Sequence, residues 1–210
     1  MSKKIVIIDY DMGNTLSISN ALQKLGYDCI VSSDKNDIND ADALILPGVG
    51  AFKHAMQNIN KKNLIPILSK NVLEDKKPIL GICLGMQIMA QSGEEMGFSK
   101  GLGWIDAKVK KITIPKVRVP HVGWNSIAVN IESPLFIDIK SDTHFYFDHS
   151  FHFICDDKFV SSYTLYEEPI IASIQKNNIF ATQFHPEKSQ NMGLKLLKNF
   201  LTYVEEHPVC

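Results

Sequence analysis

Between Pro78 and Gln87 the chain reads PILGICLGMQ, a short apolar run that passes through Gly81, Cys83 and Gly85 and continues into helix-forming residues. This places one cysteine at a sharp strand-to-helix corner. A nucleophile on such an elbow is held clear of the sheet, and glycines two residues to either side let backbone and substrate approach closely. The helix opening after Cys83 would lend its positive end to negative charge on sulfur. A buried structural cysteine explains Cys83 taken alone; the flanking glycines favour the nucleophile.

The rest of the chain bounds that reading. Its 210 residues, 45% hydrophobic and 21% charged, suit a single domain over 1–210 with a sizeable core. A net charge of −1 with scattered basic residues gives neither a nucleic-acid surface nor a polybasic membrane patch. The cysteines at 29, 83, 155 and 210 have no CxxC spacing, so they suggest neither disulfide staples nor a metal site, and a reducing cytoplasm fits best. The start, MSKKIVIIDY, has only four apolar residues before Asp9, far short of a signal segment or membrane span.

Strand-like and helix-like stretches alternate through the first half, which predicts βαβ units and a parallel sheet. Ile5 to Ile8 reads as a buried strand. Asn14 is placed to cap a helix with apolar residues Leu16, Ala21, Leu22 and Leu25 on one face, stopped by Gly26. Asp42 to Leu46 is a further strand, ending in PGVG at 47–50, and helices are expected near 51–60 and 63–75. From about 104, alternating stretches at 104–114, 125–131, 143–148, 159–164, 170–175 and 179–184 suggest antiparallel additions, with Asn177 and Asn178 at a tight turn. Ser189 to Val204 carries an amphipathic pattern through Met192, Leu196, Leu197, Phe200 and Leu201.

A cysteine that attacks an unactivated carbonyl needs a base, and the base needs a third group to fix its tautomer and orientation. QFHPEKS at 183–189 supplies both, with His185 as base and Glu187 as orienter, two residues apart at a strand end and with Pro186 stopping further pairing. Asp148 and His149 are adjacent, so on a strand they point to opposite faces and do not act together. Charge developing on the attacked oxygen needs N–H donors. The amide of Leu84 follows the nucleophile, and the PGVG loop offers Val49 or Gly50 at the carboxyl end of a strand.

Together GICLGMQ, QFHPEKS and PGVG resemble the class I glutamine amidotransferases, in which a Cys, His and Glu triad releases ammonia from glutamine. IDYDMGN at 8–14, LPGVGAF at 46–52, VPHVGWNS at 119–126 and FYFDHSF at 145–151 narrow the similarity to HisH, the glutaminase subunits of imidazole glycerol phosphate synthase, nearly end to end. The resemblance implies a flavodoxin-like α/β fold: a central, mostly parallel sheet with antiparallel additions and helices on both faces. It also implies a heterodimer partner, the HisF-like (β/α)8 synthase subunit, with glutamine as substrate and no cofactor or metal.

Carried over position by position, the resemblance makes Cys83 the nucleophile, His185 the base and acid, and Glu187 the orienter, with Val49, Gly50 and Leu84 around the oxyanion. Gly48, Gly50, Gln87, Glu95, His149, Ser150 and Phe151 would bind glutamine; Gln87 and Glu95 would otherwise read as solvated helix and loop residues. Asn14, Pro120, Trp124, Tyr146 and Lys188 fall where the family meets its synthase partner, although Trp124 and Tyr146 also fit as core aromatics.

The implied reaction passes ammonia, not ammonium, to the partner along a dry path, which gives a reason for weak activity until the partner docks. In the family that restraint lies in the PGVG loop. Two positions depart from the common pattern: Asp148 stands where valine is usual and Phe151 where tyrosine is usual. GLGW at 101–104, HSFHF and QKNNIFATQFHPEKS are closer to HisH relatives that feed an N-sugar amidotransferase in surface-polysaccharide biosynthesis. A stand-alone cysteine hydrolase of similar fold is the alternative from another class.

Overall fold

The computed structural model describes residues 3–208, so Cys210 lies outside the described residues. Ile5–Ile8 (β1), Ala43–Leu46 (β3) and Ile79–Ile82 (β4) are fully buried apolar runs without polar alternation, as expected of strands covered on both faces. Cys29–Ser32 (β2) lies outside β1 at the sheet edge, and Ile179–Thr182 (β13) lies beyond β4. All neighbours in the order β2-β1-β3-β4-β13 are parallel. This is the flavodoxin-like order, and its fifth strand arrives only after a long insertion.

The strand period of two sends alternate residues to opposite faces. Ile5, Ile7, Ala43, Ile45, Leu80 and Phe180 pack under Thr15–Lys24 (α1) and Gln190–Glu206 (α6), meeting Ile18, Leu22, Leu197 and Phe200. Val6, Ile8, Leu44, Leu46 and Ile79 face Phe52–Lys61 (α3) and Ile65–Ser69 (α4), meeting Phe52, Met56, Ile59 and Leu68. Between β2 and β3 the chain forms Lys35–Asp40 (α2). Asn14 does cap α1, its Oδ1 accepting from Ser17 N at 3.2 Å, and Gly26 follows the helix at φ +84°. Leu16, expected on the buried face, is 69% exposed; Ile18 holds that place.

The second half builds outward from β13. Glu168–Lys176 (β12), Val160–Tyr166 (β11), His121–Val129 (β8) and His144–His149 (β9) extend the sheet by antiparallel pairing. The stretch expected at 179–184 as an antiparallel addition is instead parallel to β4 and antiparallel only to β12, because the Asn177–Asn178 turn returns it into the gap beside β4. The stretch near 104–114 contributes Ala107–Lys111 (β7) to a separate four-stranded sheet with Phe151–Cys155 (β10), Ser92–Gly93 (β5) and Ser99–Lys100 (β6).

Candidate active site

Three neighbouring parallel strands end at one place: PGVG follows β3, Cys83 follows β4, and the segment from Gln183 follows β13. Ligands gather at the carboxyl ends of strands in such sheets. Cys83 sits there at φ 53° and ψ −109°, a region that costs a non-glycine residue about 1–3 kcal/mol. Its N–H donates to Thr182 O at 2.8 Å and its carbonyl accepts from Gln87 N at 3.1 Å, so strand and helix hold the strained residue from both sides. The helix itself, Leu84–Gln87 (α5), is a single turn.

The glycines around the elbow answer to packing. A Cβ on Gly85 would lie 1.8 Å from Leu46 O, and one on Gly81 would lie 2.7 Å from Met89 Cε. Gly48 has the same constraint. A side chain there would meet Tyr10 Oη, Gly85 N and Leu84 Cβ within 2.8 Å, so Gly48, expected to touch substrate, is wedged beneath the elbow and does not line the cavity. Tyr10 Oη donates to Pro47 O at 2.5 Å and Gly13 packs on Pro47, which brings IDYDMGN and PGVG together. Burial, and secondarily the nearby Cys83, push the Tyr10 phenol well above its usual range, so it stays a neutral donor.

His185 is set by backbone contacts to β9. Its N–H donates to Tyr146 O at 2.9 Å, and Ser189 Oγ donates to His185 O at 2.6 Å while accepting from Tyr146 N at 2.9 Å. His185 and Glu187 do not leave a strand together; Pro186–Lys188 is a 3₁₀ turn, and the turn brings Nδ1 within 2.8 Å of Glu187 Oε1. Both side chains are only 2% exposed. Burial by itself would lower the imidazole pKa, but interactions with Cys83 and with Glu187 outweigh it and raise the group to about 10. His185 is therefore an imidazolium at neutral pH.

A cavity of about 400 Å³ opens over Cys83, with His185, Leu84, Val49 and Gly50 on its floor and sides. Gln87, Glu95, His149, Ser150, Phe151 and Pro120 also line it, together with Ala51 and Asp148. Gln87 Nε2 donates to Phe151 O at 2.9 Å and to Gln183 Oε1 at 3.0 Å, which commits both N–H groups to the protein and leaves only its carbonyl oxygen for a ligand. Glu95 Oε2 accepts from Phe52 N at 2.8 Å, tying the start of α3 to the cavity rim. His149 is buried and Asp148 exposed, on opposite faces of β9 as the alternation requires, though the Asp148 carbonyl lies 3.8 Å from Cys83 Sγ. Among the described residues no cluster of three or more His, Cys, Asp or Glu could hold a metal ion.

Outside the cavity, Trp124 and Tyr146 meet edge to face with centroids 6.2 Å apart, and Lys188 Nζ sits 5.5 Å over the Tyr146 ring. Trp124 is 47% exposed, so it is no core aromatic. Sequence reasoning passed over Gln183, which is fully buried and whose Nε2 lies 3.7 Å from Cys83 Sγ, and over His121, which bonds His149. Gln183 immediately follows β13 and precedes Phe184 and His185 in the motif, a position that was its one available signal.

Residues 6–204 match the family described as "Glutamine amidotransferase class-I". The chain belongs to that family. Imidazole glycerol phosphate synthase subunit HisH 1 of Campylobacter jejuni subsp. jejuni serotype O:23/36 (strain 81-176) is 47% identical, across 93% of this chain and 98% of that protein. HisH 2 of Vibrio vulnificus (strain YJ016) is 48% identical across 96% and 95%. Among solved structures, a putative GMP synthase subunit from Thermoplasma acidophilum superposes with a TM-score of 0.75 at 23% identity, covering 98% of this chain and 96% of that one, a likeness of fold. The amidotransferase family thus shares both the sequence and the layered sheet described above.

Proposed function

We propose that this class I amidotransferase is the glutaminase subunit of an imidazole glycerol phosphate synthase, cytoplasmic and acting as one domain over its length, which releases ammonia for a HisF-like barrel subunit in histidine biosynthesis. The observation that carries the chemistry is the buried His185 Nδ1 to Glu187 Oε1 contact of 2.8 Å beside a cysteine held at φ 53°. The identity of 40–48% to HisH proteins across nearly the full chain supports the pathway.

In this reading Cys83 Sγ attacks the glutamine carboxamide carbon, and the oxyanion is met by the amide of Leu84 together with Val49 or Gly50. His185, already an imidazolium, gives its proton to the amide nitrogen as the C–N bond breaks and ammonia leaves. Water then adds to the thioester while His185 takes its proton; the C–S bond breaks, glutamate leaves with release of the carboxyl proton, and the Cys83 thiolate and His185 imidazolium are restored. The Gln87 carbonyl oxygen and the Glu95 carboxylate suit the α-ammonium group of the substrate. Trp124, Tyr146, Lys188, Asn14 and Pro120 form the docking face, and the PGVG loop restrains turnover until docking.

Glutamate release from glutamine, measured with and without the co-expressed barrel subunit, tests this. A sharp rise on adding that subunit, with imidazole glycerol phosphate formed from glutamine, is expected. Full activity from the isolated chain, or co-purification with a sugar-modifying synthetase in place of the barrel, overturns it.

A further inference from the structure

We propose that Gln183 is a further catalytic residue, an amide N–H donor to the Cys83 sulfur, locked in orientation through Gln87 by the Phe151 carbonyl. The inference rests on Cys83 being the nucleophile.

The polarity of the chain follows from its one fixed acceptor. The Phe151 carbonyl oxygen can only accept, and it lies 2.9 Å from both His149 Nδ1 and Gln87 Nε2. His149 therefore carries its proton on Nδ1, and Gln87 turns its NH₂ group inward. The second Gln87 N–H points at Gln183 at 3.0 Å, so the Gln183 atom there is Oε1 and its NH₂ is the group 3.7 Å from Cys83 Sγ. A reversed Gln183 amide would set NH₂ against NH₂ and oxygen against sulfur. With Nδ1 protonated, His149 Nε2 accepts from His121 Nδ1 at 3.0 Å, and His121 Nε2 faces Asn125 Nδ2 at 3.4 Å. Both imidazoles are neutral; the arm from Asn125 through His121 and His149 ends on the Phe151 carbonyl, and the arm that reaches the sulfur starts from the same carbonyl through Gln87 and Gln183.

The consequence appears at the sulfur. Asp148 O, 3.8 Å from Sγ, accepts from a protonated thiol and repels a thiolate. The Gln183 N–H does the opposite, favouring the ionised sulfur from a position with no solvent exposure to weaken the bond. Gln183 thus presents a donor to the sulfur from two residues before His185.

The full chain carrying Q183M, which keeps length but has no donor, or Q183E, which keeps volume and the acceptor for Gln87, is alkylated with iodoacetamide and the Cys83 peptide is followed by mass spectrometry. At pH 7 the Q183M sulfur should react about tenfold more slowly than the parent and Q183E more slowly still, with the differences narrowing at pH 10. Equal rates at pH 7, or the same slowing at both pH values, overturns the proposal; if Q183M does not fold, Q183L, which also lacks a donor and adds no charge, gives the same test. No glutamine is turned over, so failure here leaves the amidotransferase reading intact, and failure of partner activation leaves this result intact.

Discussion

Gly85, two residues past Cys83, lies so close to Leu46 at the end of the neighbouring strand that a Cβ on it would come within 1.8 Å of the Leu46 carbonyl oxygen. The elbow and the loop after β3 are thus one packed unit, and neither moves without the other. Gly85→Ala forces backbone apart at a fully buried point, a change of about 3 kcal/mol or more, equivalent to about 6–12 °C in Tm for a chain of this size. Gly97→Ala, at φ +92° but with open space around it, is the control and should lose far less. Thermal unfolding of both proteins followed by circular dichroism checks the contrast.

Tyr10→Phe removes the hydroxyl bonded to Pro47 O and leaves that buried carbonyl without this donor. The expected loss is about 1–3 kcal/mol of stability. The loop carrying Val49 and Gly50 loosens with it, so kcat should fall more than KM rises, whereas a purely structural defect would lower the active fraction at unchanged kcat per active site, as measured by titrating Cys83.

The parallel half of the sheet was legible because β1, β3 and β4 are unbroken apolar runs between turn residues, and Cys83, His185 and Glu187 stood out as candidates because a Gly-flanked cysteine and HPE are local patterns. What could not be read was pairing. Residues 179–182 alternate no differently from an antiparallel strand, and only the space left beside β4 makes β13 its parallel neighbour. Gln183 escaped notice for a similar reason. A buried glutamine and a solvated one look alike in sequence, and its contact with Cys83 spans 100 residues.

Burial holds the His149 imidazole down to about 3 and that of His121 to about 4. Both fall below the unfolded value near 6.5, so as pH drops through 6.5 the unfolded chain binds protons that the folded chain refuses, and stability falls. The contribution is complete above about pH 6.5 and decreases at up to about 1.4 kcal/mol per pH unit for one such group as pH falls toward 4. Urea midpoints measured between pH 7.5 and 4.5 should drop along this curve, and His149→Gln should flatten it.

Glu187→Gln keeps the reach to His185 Nδ1 but removes a negative charge that helps hold the imidazole near 10. The imidazolium is then lost at lower pH. We expect kcat for partner-stimulated glutamine hydrolysis to fall about 10²-fold, with the alkaline limb of its pH profile moving toward neutrality. A loss of activity with that limb unmoved would assign Glu187 a packing role only.

Trp124 stands half out of β8 with Tyr146 at its edge and Lys188 over the Tyr146 ring, an aromatic and cationic cluster four residues along the chain from Pro120, which lines the cavity. An exposed tryptophan supported by a second aromatic is the kind of anchor whose truncation costs about 2 kcal/mol or more at an interface, roughly a 30-fold loss of affinity. Trp124→Ala should therefore weaken binding of the barrel subunit by about that factor in isothermal titration calorimetry while Tm stays nearly constant, since much of the ring is already in water. Ile154→Ala, also exposed but on β10 in the smaller sheet, should leave the affinity unchanged. Equal effects from the two substitutions would move the docking face away from Trp124.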